Sequence, residues 1–302
     1  MQLSREKRTI SSQQTVLPIL VLYNSTLNTS ATYRTLATSS ATTAPVLIAV
    51  YDDSPTRQVN PDEETDLLAY KHDPANGGLA AAYNWALDIA KARGIPWLLL
   101  LDQDSTLPSQ FLESYLLQIS LHDRDDDVVA IVPVIRSGGL VVSPMRVGFG
   151  RLRPLPDSSV GIQSAEITAI NSGTAIRCDF VRSIGGFNRA YWLDYLDHWL
   201  FRQIYLAGKR VSVSQCLLDH NLSVQDYQHS VSTTRYRSIL TAEKLFVTTE
   251  KRHIEIPVYL IRLMLRALKQ LVIYRRPKLA ALTCAMVVEM IVRRSRFSRF
   301  GL

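Results

Sequence analysis

The sequence predicts an α/β domain, a mostly parallel sheet flanked by helices, with an amphipathic helical appendage at the C-terminus. Three observations predict it. Apolar runs of strand length alternate with helix-like segments over the first two-thirds of the chain, the pattern of strand–helix crossovers that build parallel sheets. Several of these runs are apolar without alternation, as expected of strands buried on both faces. The charge is also divided: residues 251–302 hold 12 Lys/Arg against 2 acidic residues, a net +10, while residues 1–250 hold 22 against 25, a net −3. The formal +7 of the chain therefore belongs to its tail. The expected organisation is a domain over 1–250 and a basic helical tail over 251–302.

The elements follow in order. VLPILVLYN (16–24) reads as a first buried strand and the Ser/Thr-rich 26–40 as a helix of modest propensity. APVLIAVYDDSP (44–55) is a second strand that ends in Asp52 and Asp53, with a turn at Ser54-Pro55. LLAYKHD (67–73) is a third. Asn76-Gly77-Gly78 makes a turn into LAAAYNWALDIAKAR, a helix closed by Gly94. WLLLL (97–101) is a strand, Pro108 opens a helix to about Leu121, and DDDVVAIVPVI (125–135) is a further strand. The stretch from Gly138 to Pro156 reads as a loop over the site. A helix begins near Asp197 and ends at Gly208, and His220 follows the strand-like VSVSQCLLD.

In the tail, IPVYLIRLMLRALKQLVIY (256–274) is apolar but carries Arg262, Arg266 and Lys269 on one helical face. LAALTCAMVVEMIV (279–292) is short and contains Glu289. Neither has the roughly 20-residue apolar span that crosses a bilayer. With the basic RRSRFSRF (293–300) they read as helices lying in an anionic membrane surface. Three widely separated cysteines, Cys178, Cys216 and Cys284, argue against a disulfide framework or a zinc site. MQLSREKRTI lacks the apolar core of a signal peptide. The expected location is the cytoplasm, peripheral on the inner face of the membrane. No helix-turn-helix, zinc-finger or RNA-binding spacing is present, so nucleic acid is not an expected partner.

The chemistry centres on WLLLLDQDST (97–106). An apolar run ends abruptly in Asp102 and Asp104. In open α/β sheets the ligand crevice lies at the carboxyl ends of such strands. Asn24, the Asp52/Asp53 pair and the Asp102/Asp104 pair would line one crevice if their strands are neighbours. Neither GxxxxGK[ST] nor a GxGxxG after the first strand is present, so a diphosphate would bind this acidic crevice through Mg²⁺ or Mn²⁺. Asp194 and Asp197 form a second acidic pair. Asp197 is either a helix-terminal cap or a general base. His220 is either structural or a further ligand at the crevice.

YN at the first strand end, YDDS at the second, NGGLAAAYNWAL before a helix, DQD, SGTAIR, GGFNRAYWLDYLDHWLFR and an isolated His occur in this order. Over about residues 16–235 this resembles the inverting family 2 glycosyltransferases of GT-A fold, and among them the bacterial rhamnosyltransferases of cell-surface polysaccharide synthesis. The resemblance implies a nucleotide-sugar donor, with dTDP-rhamnose favoured, and a saccharide or lipid-linked saccharide acceptor. It implies that Asp52 contacts the nucleoside and Asp102 the nucleotide-sugar, and that Asp104 holds the metal. Asn76, Gly77 and Gly78 would shape the donor pocket, and His220 would lie near the metal or diphosphate. Asp197 would be the base, with Asp194 the alternative; where many relatives carry Glu two residues after the base, Trp199 stands here. Two rival readings are a haloacid-dehalogenase-like phosphatase with Asp102 as nucleophile, and a non-catalytic membrane-associated scaffold.

Overall fold

Val16–Leu22 (β1) is buried at all seven positions, and strands on both sides of it explain why. In a computed structural model, which describes residues 14–40, 46–60, 65, 68–149, 151–156, 159–219, 231–251 and 254–299, β1 runs parallel to Ile48–Asp52 (β2) and to Trp97–Asp102 (β4). Leu68–His72 (β3) continues the parallel set beside β2. Beyond β4 the order is Thr174–Arg177 (β11), Val128–Ser137 (β5), Arg210–Asp219 (β12) and Gly161–Gln163 (β9), with Leu140–Ser143 (β6) paired to β5. The short β11 is antiparallel to both neighbours, while β5 and β12 are parallel. The result is a nine-stranded, mainly parallel sheet.

Side-chain alternation sends successive residues of each strand to opposite faces. Val16, Leu20 and Leu22, Ile48 and Val50, and Trp97, Leu99 and Leu101 pack with Leu36 of Ala31–Ser40 (α1) and with Phe111, Leu112, Tyr115 and Ile119 of Phe111–Leu121 (α3). The other parity, including Leu17, Ile19, Leu98 and Leu100, lies on the face covered by Gly78–Arg93 (α2), which packs on β1 and β4. The buried face of α2 is small, with Ala80, Ala82, Ala86 and Ala90, so the helix can lie close to the sheet. Gly94 ends it in the left-handed conformation at φ 66°, its N–H bonding back to Ala90 and Lys91 carbonyls. Cys178–Ser183 (α4) and Leu196–Leu206 (α5) complete this part of the chain.

The stretch 138–156, expected to be loop, instead holds three short strands: β6, Met145–Gly148 (β7) and Arg151–Pro154 (β8). Ile167–Thr168 (β10) pairs antiparallel with β7. The sequence signal for these strands is weak because most of their residues are exposed or half-buried.

Chain contacts divide the protein into two compact units, Met1–Arg146 with Pro154–Asn221, and Val147–Arg153 with Leu222–Leu302. The second contains Thr233–Glu250 (α6), Glu255–Val272 (α7) and Pro277–Arg299 (α8), which bring the helices among the described residues to eight. Tyr236, Leu240, Leu263, Leu279, Met286 and Met290 form its apolar core. A closed polar triangle crosses that core: Gln270 donates to Tyr236 Oη (2.7 Å), Tyr236 to Thr283 Oγ1 (2.7 Å), and Thr283 to Gln270 Oε1 (2.8 Å). Arg266 donates to both oxygens of the buried Glu243. Networks with every member satisfied select one packing among many apolar alternatives. Among the described residues no helix is long and apolar enough to cross a membrane.

Leu100 sits mid-strand in β4 with no exposed surface, between β1 and β11. Leu100→Ala is expected to cost about 3–5 kcal/mol, read as a lower urea midpoint at unchanged slope. A loss under about 1 kcal/mol would mean that the sheet centre is not close-packed.

Candidate active site

The register of the parallel strands sets the site. Leu22 pairs with Asp52, and Val21 with Asp102, so three carboxyl ends stop at one level. The chain then ties them together. Gln103, the middle residue of DQD, accepts from Tyr23 N (2.7 Å) and donates to Tyr23 O (3.2 Å). Asn24 N donates to Ser54 Oγ (2.7 Å). The expected adjacency of Asn24, Asp52/Asp53 and Asp102/Asp104 is therefore present.

The two aspartates at the end of β2 differ in what holds them. Asp52 has no exposed surface. Its Oδ1 accepts from Ser54 N, and its Oδ2 accepts from Gln58 N (2.7 Å) and Tyr70 Oη (2.6 Å). It buttresses the strand end. Asp53 turns to the α2 side and accepts a longer bond from Gly78 N (3.4 Å). Burial pushes its carboxyl up to about 6, with the Asp73 and Asp52 charges adding and the Gly78 amide opposing.

The Asn76-Gly77-Gly78 turn is built around this carboxylate. Asn76 and Gly78 adopt the left-handed region, at φ 55° and 78°. Gly77 N donates to Asp73 Oδ2, which also receives Tyr51 Oη (2.6 Å); that hydroxyl holds the Asp73 carboxyl below its usual range. Trp192, from the segment before α5, closes over the turn: its Nε1 donates to Asn76 O (2.7 Å). A Cβ on Gly78 would lie 2.2 Å from the Trp192 carbonyl oxygen.

DQD is braced from α1. Thr32 Oγ1 donates to the Asp102 and Ser105 carbonyls and accepts from Ser105 N, and Ser30 Oγ donates to Gln103 O (2.8 Å). Burial raises the Asp102 carboxyl to about 7, followed by the charges of Asp104 and Asp197, while the Ser172 hydroxyl opposes. Asp102, Asp104 and Asp197 thus share one electrostatic neighbourhood. The Tyr83 hydroxyl belongs to it too: it is fully buried and unpartnered, and its pKa is raised by burial and then by Asp102 and Asp197. Asn171 Oδ1, in the segment leading to β11, is a second buried orphan.

Asp197 lies in the first turn of α5, as expected. The preceding Tyr195 is left-handed at φ 65°. Asp197 Oδ1 accepts from the adjacent His198 N (2.7 Å), and Arg202 reaches Glu166 (3.1 Å). Both Asp194 and Asp197 are half-buried, but Asp197 is the one whose charge acts on Asp102 and Tyr83. The GGF turn ahead of it is clamped by the amide of Asn84 in α2, which donates to Phe187 O (2.8 Å) and accepts from Phe187 N (2.9 Å). Asn84, Gly185, Gly186, Asn188, Arg189 and Trp199 line an open cavity of about 470 Å³ beside this turn.

The donor set suits a hard divalent cation. The charges of Asp104 and Asp197 act on the half-buried Asp102, whose carboxyl is raised first by burial and then by them. Among the described residues, no three His, Cys, Asp or Glu converge as a complete metal cage. A cation there would take one or two carboxylates from Asp102 and Asp104 and the rest from substrate phosphate and water, the usual arrangement for Mg²⁺. His220 lies outside the described residues. Sequence reasoning missed Gln103, Thr32, Tyr83, Asn84 and Trp192. Only the Ser/Thr-rich stretch at 26–40 hinted at one of them, because hydroxyls bonded to a neighbouring turn leave no periodic signature.

Two outcomes follow. A carboxyl raised by folding holds more protons than in the unfolded chain, so its contribution to stability falls as pH rises from about 4 to about 6. Asp53→Asn is expected to flatten that part of the stability–pH curve, measured by urea unfolding; an unchanged slope would remove Asp53 from it. Gly78→Ala, with a left-handed φ and a carbonyl in its way, is expected to lower stability by about 1–3 kcal/mol and to weaken nucleotide binding at least about tenfold by calorimetry.

The solved structures similar to this chain include S. aureus TarS 1-349, at 15% identity over 93% of this chain and 92% of that one, with a TM-score of 0.47. They also include the Pyrobaculum calidifontis mannosyltransferase PcManGT in complex with GDP-Man and Mn²⁺, at 14% identity over 96% and 81%, with a TM-score of 0.49. No curated protein matches the chain in sequence. The family pattern described as Glycosyl transferase family 2 matches residues 19–185, more than half of the chain, from within β1 through DQD to Gly185. The chain belongs to glycosyl transferase family 2.

Proposed function

We propose that the protein is an inverting glycosyltransferase that moves a sugar from a nucleotide-sugar to a saccharide or lipid-linked saccharide. Rhamnose from dTDP-rhamnose is the favoured donor, on the resemblance carried by the ordered run of motifs from YN through DQD to GGFNRAYWLDYLDHWLFR. The observation that supports the reading is that β2 and β4 flank β1 and end at one level, and that the charge of Asp197, at the start of α5, acts on Asp102.

In this reading Asp53 meets the nucleoside, because Asp52 already accepts three internal bonds. The Asn76-Gly77-Gly78 turn lets backbone approach the donor. Tyr23 and Trp192 keep 48% and 38% of their surface exposed and offer rings against base or sugar. Asp102 and Asp104 would hold Mg²⁺ or Mn²⁺, which when bound offsets the negative charge gathering on the leaving diphosphate. Asp197 takes the proton of the acceptor hydroxyl as its oxygen bonds to the anomeric carbon and the carbon–phosphate-oxygen bond breaks on the opposite face. That single displacement inverts the centre and uses no protein nucleophile. His220 is proposed to lie near the diphosphate. The family match takes in DQD, and nothing favours a phosphatase or a scaffold. Residues 251–302 are proposed to hold the enzyme on the cytoplasmic, anionic face of a membrane, where a lipid-linked acceptor is confined.

Asp197→Asn is expected to lower kcat by about 10²–10⁴ with little change in donor affinity, measured by release of nucleoside diphosphate. An active Asp197→Asn beside a dead Asp194→Asn would move the base by one helical turn. Asp104→Ala is expected to abolish turnover and metal-dependent donor binding with the fold intact by circular dichroism.

A further inference from the structure

We infer that one face of α7 is the surface that enters the membrane, with the helix lying flat in the headgroup zone; this rests on the reading of residues 251–302 as a membrane-associating tail. The inner side of α7 is accounted for: Leu263, Ala267 and Gln270 are buried against the helical unit's own core. The outer side is apolar instead of polar. Ile261, Leu265, Leu268 and Val272 recur at three- and four-residue spacing, each 56–63% exposed, Ile254 just before the helix lies seven residues ahead of Ile261, and Met264 and Leu271 widen the strip. At 1.5 Å per residue the helix is about 27 Å long. An apolar stripe of that length on a surface marks an interaction site.

Charge selects the occupant. Arg262 and Lys269, two turns apart, are both exposed on the same edge of the strip, and neither pairs with an acid among the described residues. The tail's two acidic residues are engaged already, Glu255 with Lys251 and Glu289 with Lys244. A second copy meeting this face with its own tail would set +10 against +10. An anionic bilayer surface supplies both what the strip and what its edge require: acyl chains for the aliphatic side chains, and phosphates for the two cations, whose stems lie along the apolar surface while their heads stay in water. The helix cannot stand upright, because only one face is apolar and the opposite face is packed.

The test is co-sedimentation of the full chain with vesicles of phosphatidylglycerol mixed into phosphatidylcholine, against phosphatidylcholine alone. Two variants are compared with the wild type: Leu265→Ser/Leu268→Ser/Val272→Ser, and Arg262→Glu/Lys269→Glu. All five side chains are exposed, so the fold is expected to stand; circular dichroism, light scattering and calorimetric binding of dTDP with Mn²⁺ check fold, mass and site. The expected result is that each variant loses at least about tenfold in partitioning to the anionic vesicles with dTDP binding unchanged. Equal binding of wild type and both variants would overturn the assignment of this face. A wild type that binds no vesicle would overturn the membrane reading itself. A wild-type dimer made monomeric by the serine variant would make the occupant a second copy.

Discussion

Parallel pairing of β1 with β2 on one side and β4 on the other is the constraint on which the rest of the site depends. Because Leu22 stands opposite Asp52 and Val21 opposite Asp102, the three strands release their chains at one level. A slip of one residue in either pairing would turn every side chain of that strand to the other face. It would move Asp102 away from the α2 side, where Asp53 and Tyr83 are. Register is held by burial, since β1 and β2 expose nothing on either face, and by Gln103, which bonds across the gap to Tyr23.

What the register assembles is costly to the protein by itself. Asp102 is raised toward neutrality by burial and by the negative charges of Asp104 and Asp197, Tyr83 keeps an unpaired buried hydroxyl, and Asn24, Asn76 and Tyr195 hold left-handed backbone without being glycine. Strain and unsatisfied groups persist where the surrounding structure over-determines them, and they gather at functional sites. Asn24 follows the end of β1, Asn76 opens the turn into α2 and Tyr195 precedes α5. In the proposed reading a cation and diphosphate supply the counter-charge beside Asp102.

The parallel half of the sheet was legible because its strands are apolar on both faces and end in Asn or Asp: the expected spans for β1, β3, α2 and β4 lie within a few residues of those observed. Asp197 at the start of a helix was legible for the same reason, a carboxylate preceding an amphipathic repeat. The antiparallel β11 was not, because four residues carry no direction, and the exposed β7 and β8 were not, because their pattern matches that of a loop. The helix Thr233–Glu250 passed unread, its apolar residues being spread among Thr, Arg and Lys. The unequal fates of Asp52 and Asp53 could not be read from the sequence at all. Adjacent aspartates look equivalent until Tyr70 and the Gln58 amide are seen to occupy one of them.

The helical unit follows a different rule. Its interior is pinned by a polar triangle and by the Glu243–Arg266 pair, while its outer surface on α7 is greasy, the reverse of an ordinary solvated bundle. In the proposed reading the β2 and β4 ends and the start of α5 form one nucleotide–metal crevice. The most direct measurement is a crystal structure of the chain with dTDP and Mn²⁺, located by manganese anomalous scattering. The expected result is manganese beside Asp104 with the diphosphate on it, the base toward Asp53, and Asp197 facing the open side. Manganese bound elsewhere, or a nucleotide seated away from Asp53 and Asp102, would contradict it.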